Sequence, residues 1–371
     1  MSVEFVGMIG TRHVSEIHPP VGPEIDPDFV RGFVAAHEEA GFDKVLVGHS
    51  SSTADGLQVA AFGAAHSERL GFLVAHRPGF MAPTLAARAY ATLDQFSRGR
   101  AAMHVITGGS DVDQRRDGDH LNKEDRYRRS DEYLDVVRRT WTSTEPFDHH
   151  GEFYDVSDVD AVARPFQEPH VPIYFGGSSA DAYRVGGKQA DVFALWGEPL
   201  AETAEQIALV HAAARAAGRT TRPGISVSFR PILGATEEQA WDRAHDVLAR
   251  IHAAQGGAGS FTGRMTKRRG GEAPANVGSQ RLLAAAERGE LHDRALWTPT
   301  AAATGAAGNS TALVGTPETV AAALLDYVDI GVTTLLIRGY DPLDDAVAYG
   351  RDLLPLVRAE LARREPVRIP A

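Results

Sequence analysis

Residues 174–182 read "YFGGSSADA". Adjacent glycines free backbone N–H groups, two serines add hydroxyls, and the residues that follow can open a helix, which together suit a phosphate. The same letters also describe a tight strand-to-helix turn capped by serine, and the stretch by itself leaves both readings open. A P-loop lysine is missing, which argues against a nucleoside triphosphate. His13, His49 and His76 stand on different segments without carboxylates at ligand spacing, so they do not indicate a metal centre. His104 lies inside an apolar run and reads as a core or barrel-lining histidine. The sequence holds no cysteine, which removes disulfides, thiolate catalysis and sulfur-ligated metals. Neither a Ser-His-Asp pattern, a nucleophile elbow nor a pair of catalytic carboxylates is visible. Demanding chemistry in such a chain falls to a bound cofactor. Trp196, beside Gly197, suits a planar ring or plain core. Arg126 and Tyr127 of "EDRYRR" suit a ligand contact or the first turn of a solvated helix.

These residues need elements to position them. The chain has 371 residues, 43% of them hydrophobic, enough for a sizeable core. Thirty-eight basic against 49 acidic residues give a net charge of −11, a poor surface for nucleic acid or anionic membrane. No stretch has the length and apolarity of a membrane span, and "MSVEFVGMIG" lacks the features of a signal peptide, so a cytoplasmic location is expected. Eight short apolar runs read as buried strands: 4–10, 44–49, 71–76, 101–108, 172–177, 191–197, 225–233 and 333–340. Amphipathic helical patterns lie between them, the first after Asp26, a candidate N-cap. This alternation predicts an α/β fold, a (β/α)8 TIM barrel over 1–371 as one domain, with an open doubly wound sheet as the alternative.

Two stretches break the alternation. "PFDHHGEFYDV" opens a hairpin insertion over 146–158. Residues 256–312, rich in Gly, Ala, Thr and Arg, read as a mobile lid inserted before the last strand, with some helix in "SQRLLAAAERGEL". In a barrel of this kind the site lies at the C-terminal ends of the strands. Those ends hold His13, His49 to Thr53, Ala75-His76-Arg77, Thr107-Gly108-Gly109, Gly176 to Ser179, Trp196-Gly197-Glu198, Arg230 and Gly339-Tyr340. Polar, cationic and glycine residues therefore gather at one mouth.

The segments "FLVAHRPGFMAPTLAARAYATLDQFSRGRAAMHVITGG", "DRYRRSDEYLDVVRRTW", "PIYFGGSSADA", "ALWGEP" and "TALVGTPETVA" through "GVTTLLIRGY" occur in an order that resembles the bacterial luciferase-like superfamily. Within it the chain is most similar to the two-component, FMNH2-dependent alkanesulfonate monooxygenases. The resemblance implies a TIM barrel that binds reduced FMN delivered by a separate NAD(P)H:FMN reductase, and a homodimer or homotetramer. It implies that Gly177, Ser178 and Ser179, with Tyr127, hold the FMN phosphate. By the same likeness Ala75-His76 is a cis peptide beneath the isoalloxazine, Thr107 contacts the flavin and Trp196 lines its pocket. Tyr340 corresponds to an active-site tyrosine, and His13 to a histidine near the substrate entrance. Thr53 stands where the alkanesulfonate enzymes carry cysteine. Their strand-seven Arg-x-His becomes Ser228-Phe229-Arg230, and their mobile-loop arginine has no counterpart in "AAATGAAGNSTALVG".

The reaction so implied is oxygenation of a small organic substrate with O2, with the lid keeping water out. For an alkanesulfonate the products are sulfite and an aldehyde. Arg77 and Arg230 then receive the anion, unless they hold the FMN phosphate or pair with Glu198, and Tyr340 or His13 assists proton transfer. A sulfone, alkane or carbonyl oxygenase, an F420-dependent oxidoreductase and a non-catalytic flavin-binding protein are the alternatives.

Overall fold

In a computed structural model of the chain, residues 3–254, 274, 276–307 and 311–364 are described. All eight expected strands form: β1 (Glu4–Ile9), β2 (Lys44–Val47), β3 (Gly71–His76), β4 (Ala101–Val105), β7 (Ile173–Gly176), β8 (Val192–Trp196), β9 (Gly224–Leu233) and β13 (Thr334–Ile337). Numbering is in chain order, with β5 (Phe147–His150) and β6 (Asp155–Val159) forming the expected hairpin. Every neighbouring pair around the ring is parallel, from β1–β2 (Val6 opposite Lys44) to β13–β9 (Ile337 opposite Phe229). The β8–β9 pairing, Phe193 opposite Ile225, closes the barrel. An open doubly wound sheet is thereby ruled out.

Parallel strands joined by helices have both faces covered, which is why the runs are apolar almost throughout. Inside the barrel Val6, Leu73, Ala102 and Tyr174 make a small closed layer, and Tyr174 Oη donates to Glu4 Oε2 at 2.5 Å. Outside it, residues such as Phe5, Phe72, Met103, Phe175 and Phe193 pack against the helices in the main core. Local chemistry fixes where the helices begin. Asp26 caps the helix Pro27–Glu39 by accepting from the N–H groups of Asp28 and Phe29 at 3.0 Å each. The β5–β6 hairpin is held by Glu132, whose carboxylate accepts from the backbone N–H groups of Glu152, Phe153 and Tyr154.

The second insertion differs from the expectation in its described part. Val277–Arg288 is a helix, as its amphipathic pattern suggests. Beyond it β10 (Leu291–His292) and β11 (Leu296–Trp297) form a short antiparallel pair, and β11 joins β12 (Ala312–Gly315). That strand runs parallel to the second half of β9, with Ala312 opposite Arg230. This part of the insertion is therefore an extension of the sheet. The reason lies in β9, which at ten residues outruns its barrel neighbours and offers a free ladder edge. The stretches 255–273, 275 and 308–310 of the expected lid lie outside the described residues. No helix among the described residues is long and apolar enough to cross a membrane.

Candidate active site

A cavity of about 330 Å³ opens at the C-terminal ends of the strands. One side is the turn after β7. Gly177 has φ +150°, and a Cβ there would sit 2.6 Å from the Ala182 Cβ and 3.3 Å from Tyr127 Oη, so only glycine fits. Ser179 caps the helix Ala180–Gln189: its Oγ accepts from the Ala182 N–H at 3.2 Å and donates to Tyr127 Oη at 3.3 Å. Serine hydroxyls, a buried tyrosine hydroxyl and a helix N-terminus thus meet at the cavity wall, a set of donors suited to an anion. Lys123, the first residue of the helix Lys123–Thr142, lines the same end. Burial and the neighbouring Arg126 lower its pKa against the opposing pull of Asp181 and Asp111.

The loop Thr107-Gly108-Gly109 faces this turn. Gly108, at φ +87°, passes against the Gln114 side chain, whose Nε2 donates to the Thr107 carbonyl at 3.0 Å. Arg126 Nε donates to the same carbonyl at 3.1 Å, so the loop is pinned from two directions. Asn276 to Gly278, at the N-terminus of the insertion's helix, complete this end; a Cβ on Gly278 would lie 3.4 Å from Ser178 Oγ and 3.5 Å from Trp196 Cε3. The middle of the cavity is walled by Ile106, Leu195, Trp196, Phe229 and His104. Burial alone holds the His104 pKa down at about 4, so the ring is neutral, and its buried Nδ1 has no hydrogen-bond partner among the described residues.

The other end is cationic. Arg230 and Arg338 both line the cavity, and both reach Glu16 behind it. Arg230 donates to the two Glu16 oxygens at 3.1 and 2.8 Å and to the Gly339 carbonyl at 2.9 Å. Arg338 Nη2 donates to the same carboxylate at 3.2 and 3.3 Å. Burial pushes the Glu16 carboxyl up, but the two guanidinium groups outweigh it and hold the pKa at about 2.

Of the residues expected at the site, Thr107, Tyr127, Gly177, Ser178, Ser179, Trp196 and Arg230 surround this one cavity. Ala75, His76, Arg77, His13, Thr53 and Tyr340 do not line it. Among the described residues the cis peptide is Glu168–Pro169, so the cis bond expected at Ala75–His76 is not there. Alternation along β3 turns Leu73 inward and His76 outward, where the His76 Nε2 meets Tyr133 Oη at 2.7 Å. Arg77 is buried in an ion pair with Asp113. Thr53 is exposed and closes a turn on Ser50, accepting from its N–H at 2.9 Å and donating to its carbonyl at 3.0 Å. His13 packs against His18 and Phe29. The Tyr340 ring is buried under the Arg230 guanidinium, 3.9 Å from its carbon. Arg230 pairs with Glu16 rather than Glu198, which instead takes Arg281, Nε to both oxygens at 2.9 Å.

Glu16, Lys123, Asn276, Gly278 and Arg338 belong to the cavity or its backing without having been expected there, and His104, which reads as core or barrel-lining, is part of the wall. Arg338 was recoverable from period two: Leu336 faces the interior, so Arg338 does too. Glu16 sits in an irregular loop and carried no such signal.

A closed parallel barrel whose C-terminal mouth holds a cavity between a hydroxyl cradle and an arginine pair is the architecture seen here. The chain belongs to the luciferase-like monooxygenase family, whose sequence profile matches residues 3–334. Its fold is shared with riboflavin lyase in complex with modified FMN and riboflavin, at a TM-score of 0.79, 19% identity and coverage of 97% of this chain and 92% of that one. EDTA monooxygenase from Chelativorans sp. BNC1 superposes with a TM-score of 0.74 at 17% identity, covering 97% of this chain and 94% of that chain. An F420-dependent secondary alcohol dehydrogenase with an F420–acetone adduct superposes with a TM-score of 0.68 at 14% identity, covering 96% and 100%. At these identities the likeness is one of fold.

Proposed function

We propose that this chain is a monooxygenase that uses reduced FMN and O2 on a small organic substrate, with an alkanesulfonate as the preferred candidate and a separate NAD(P)H:FMN reductase as the source of the cofactor. The observation that carries this reading is the polarity of the cavity: anion-binding donors at one end, apolar and aromatic walls between, and guanidinium groups at the other. The residues suit FMN. Ser178, Ser179 and Tyr127 would hold the phosphate at the helix N-terminus, with Lys123 adding a cation. Gly177 leaves the backbone bare at the closest approach, and a Cβ would fill that space. Trp196 offers a flat face, and His104 Nδ1, without a partner among the described residues, offers a polar atom to a ring heteroatom without adding charge.

Reduced FMN, when bound, supplies the electrons that activate O2. The protein's own part is binding, orientation and exclusion of water. Apolar walls around Ile106, Leu195 and Phe229 keep bulk water from the reacting centre. Arg230 and Arg338 orient an anionic head group at the end opposite the phosphate cradle. Family membership and the fold shared with EDTA monooxygenase support an oxygenase; the fold shared with an F420-dependent dehydrogenase makes hydride transfer the outcome to test against. Anaerobic titration with reduced FMN and with reduced F420, then oxygen uptake and sulfite release on a panel of alkanesulfonates, separates them. Tight binding of reduced FMN with substrate-dependent oxygen uptake is expected. Binding of F420 alone would overturn the oxygenase, and uptake without sulfite would move the substrate to a sulfone, alkane or ketone.

A further inference from the structure

The chain leaves β4 through Thr107 and Gly108, and both residues line the cavity. They emerge beside the Gly177–Ser179 turn, because β4 and β7 are neighbouring strands with Val105 opposite Phe175. The peptide between them is firmly held. The Thr107 carbonyl accepts from Gln114 Nε2 at 3.0 Å and from Arg126 Nε at 3.1 Å, which uses both of its lone pairs. Neither donor residue lines the cavity, and at 1% and 2% exposure Gln114 and Arg126 lie behind its wall. The carbonyl therefore points away from the cavity. A trans peptide is planar, with its N–H opposite its C=O, so the Gly108 N–H is turned the other way, toward the cavity. Among the described residues that N–H has no hydrogen-bond partner. Gly108 has φ +87°, and a Cβ there would lie 1.3 Å from Gln114 Nε2, so the arrangement requires glycine.

We propose that the Gly108 N–H is a binding donor of the active site, aimed at an oxygen acceptor of the bound flavin, and that Gln114 and Arg126 are the positioning residues that keep it aimed. The inference rests on the reading of this cavity as a flavin site. A donor fixed before the ligand arrives costs no side-chain ordering on binding. It also offers positive character without an ionisable group. Arg126 reaches Thr107 from the same helical turn that brings Lys123 and Tyr127 to the cavity, so the hydroxyl cradle and this loop share one support. FMN has two kinds of oxygen acceptor, those of its phosphate and the carbonyls of its ring, and they are separable by experiment.

The test is an NMR titration of the full-length protein with glycine labelled at nitrogen and threonine at the carbonyl carbon, which selects the amides of glycines that follow threonine. The sequence has three, Gly108, Gly263 and Gly305, and Thr262→Ser and Thr304→Ser identify the other two. FMN, riboflavin and inorganic phosphate are added in separate titrations, with binding of the flavins followed by their fluorescence. Saturation with FMN should move the Gly108 proton downfield and slow its exchange with solvent about tenfold or more, as a new hydrogen bond does. The same change with phosphate but not riboflavin assigns the acceptor to the phosphate; the reverse assigns it to a ring carbonyl. Gln114→Met, close in shape but without a donor, should weaken FMN about threefold to tenfold and shrink the downfield shift at saturation. Arg126→Lys, which keeps the charge and loses the planar Nε donor, should do the same. Variants that lose stability yet keep FMN affinity and the full shift would overturn the positioning role. Bound FMN with an unmoved Gly108 signal would overturn the donor and leave the cofactor reading standing. If neither flavin binds, the cofactor reading fails and phosphate decides: a moved Gly108 signal supports the donor, and an unmoved one overturns it.

Discussion

Ser179 shows how one side chain serves the fold and the candidate site together. Its Oγ accepts the Ala182 N–H as a helix cap and donates to Tyr127 Oη in the cavity wall. If FMN binds as proposed, replacing Ser178 and Ser179 together with alanine should weaken reduced FMN by about 2–3 kcal/mol, because two charge-assisted contacts would be lost while backbone donors stay. Riboflavin, which lacks the phosphate, should bind the variant and the wild type alike; an equal loss for both in an anaerobic titration would place the phosphate elsewhere. Glu16 gives a second prediction, on acid stability. Its pKa falls from 4.5 to about 2 on folding, so the folded state prefers the ionised form. The stabilisation is complete above 4.5 and disappears as pH falls through 2. Near neutral pH Glu16→Gln should therefore be less stable than the wild type by about 3 kcal/mol, and the gap should close across that acid window. Urea melts of both proteins along a pH series measure it, and a constant gap would mean the arginines do not hold the carboxylate.

At the scale of elements, the insertion's helix Val277–Arg288 reaches the cavity wall with its first residues from outside the eight barrel strands. Leu282 and Ala285 are buried beneath it, and Arg281 fastens it to Glu198, just beyond β8. Burial pushes the Glu198 carboxyl up while Arg281 pulls it down, and the net shift is upward. Arg281→Ala leaves that carboxylate nearly inaccessible and without its cation. The expected cost is about 3 kcal/mol, at the lower end for a broken buried pair because Arg281 is partly exposed. Amide exchange over 277–288 should quicken, and Glu198→Gln in the same chain should recover part of the loss. Unchanged exchange would show that apolar packing alone holds the helix. The pinned Thr107 carbonyl is the opposite case: Gln114 and Arg126 both bond it, so the facing loop is held by two elements at once.

Across the whole molecule, burial keeps several histidines neutral. Burial lowers the pKa of His37 and of His104 to about 4 and that of His76 to about 3. In the unfolded chain each takes a proton near 6.5, so the stability they represent is complete above that value and declines as pH falls below it. At about pH 5 each should have given up on the order of 2 kcal/mol, which makes the protein markedly acid-sensitive well above the range where carboxylates protonate. His37→Gln isolates one of them: its Nδ1 meets the Phe33 carbonyl at 2.9 Å, a bond an amide can replace. Urea unfolding at about pH 7 and pH 5 should show a shallower pH dependence in the variant, by roughly one proton. Identical slopes would mean His37 reaches solvent before the molecule unfolds.

Eight strands, the Asp26 cap, the hairpin and the Gly-Gly-Ser-Ser turn were all legible in the chain, because each depends on neighbours a few residues away: an apolar run, a cap, a glycine where a Cβ would collide. The (β/α)8 order followed from their alternation. What converges across the barrel was not legible. Glu16 meets Arg230 over 214 positions of chain, Arg77 turned out to be committed to Asp113, and Tyr340 sits beneath a guanidinium rather than in the cavity. β12 lengthened the sheet along β9 because a ladder edge was free there, a fact about β9's neighbours that composition does not carry. Short-range preferences decide which elements form and where their ends lie. Charge pairing and the inward or outward turn of each strand residue decide which of those ends make a site, and both wait for the barrel to close.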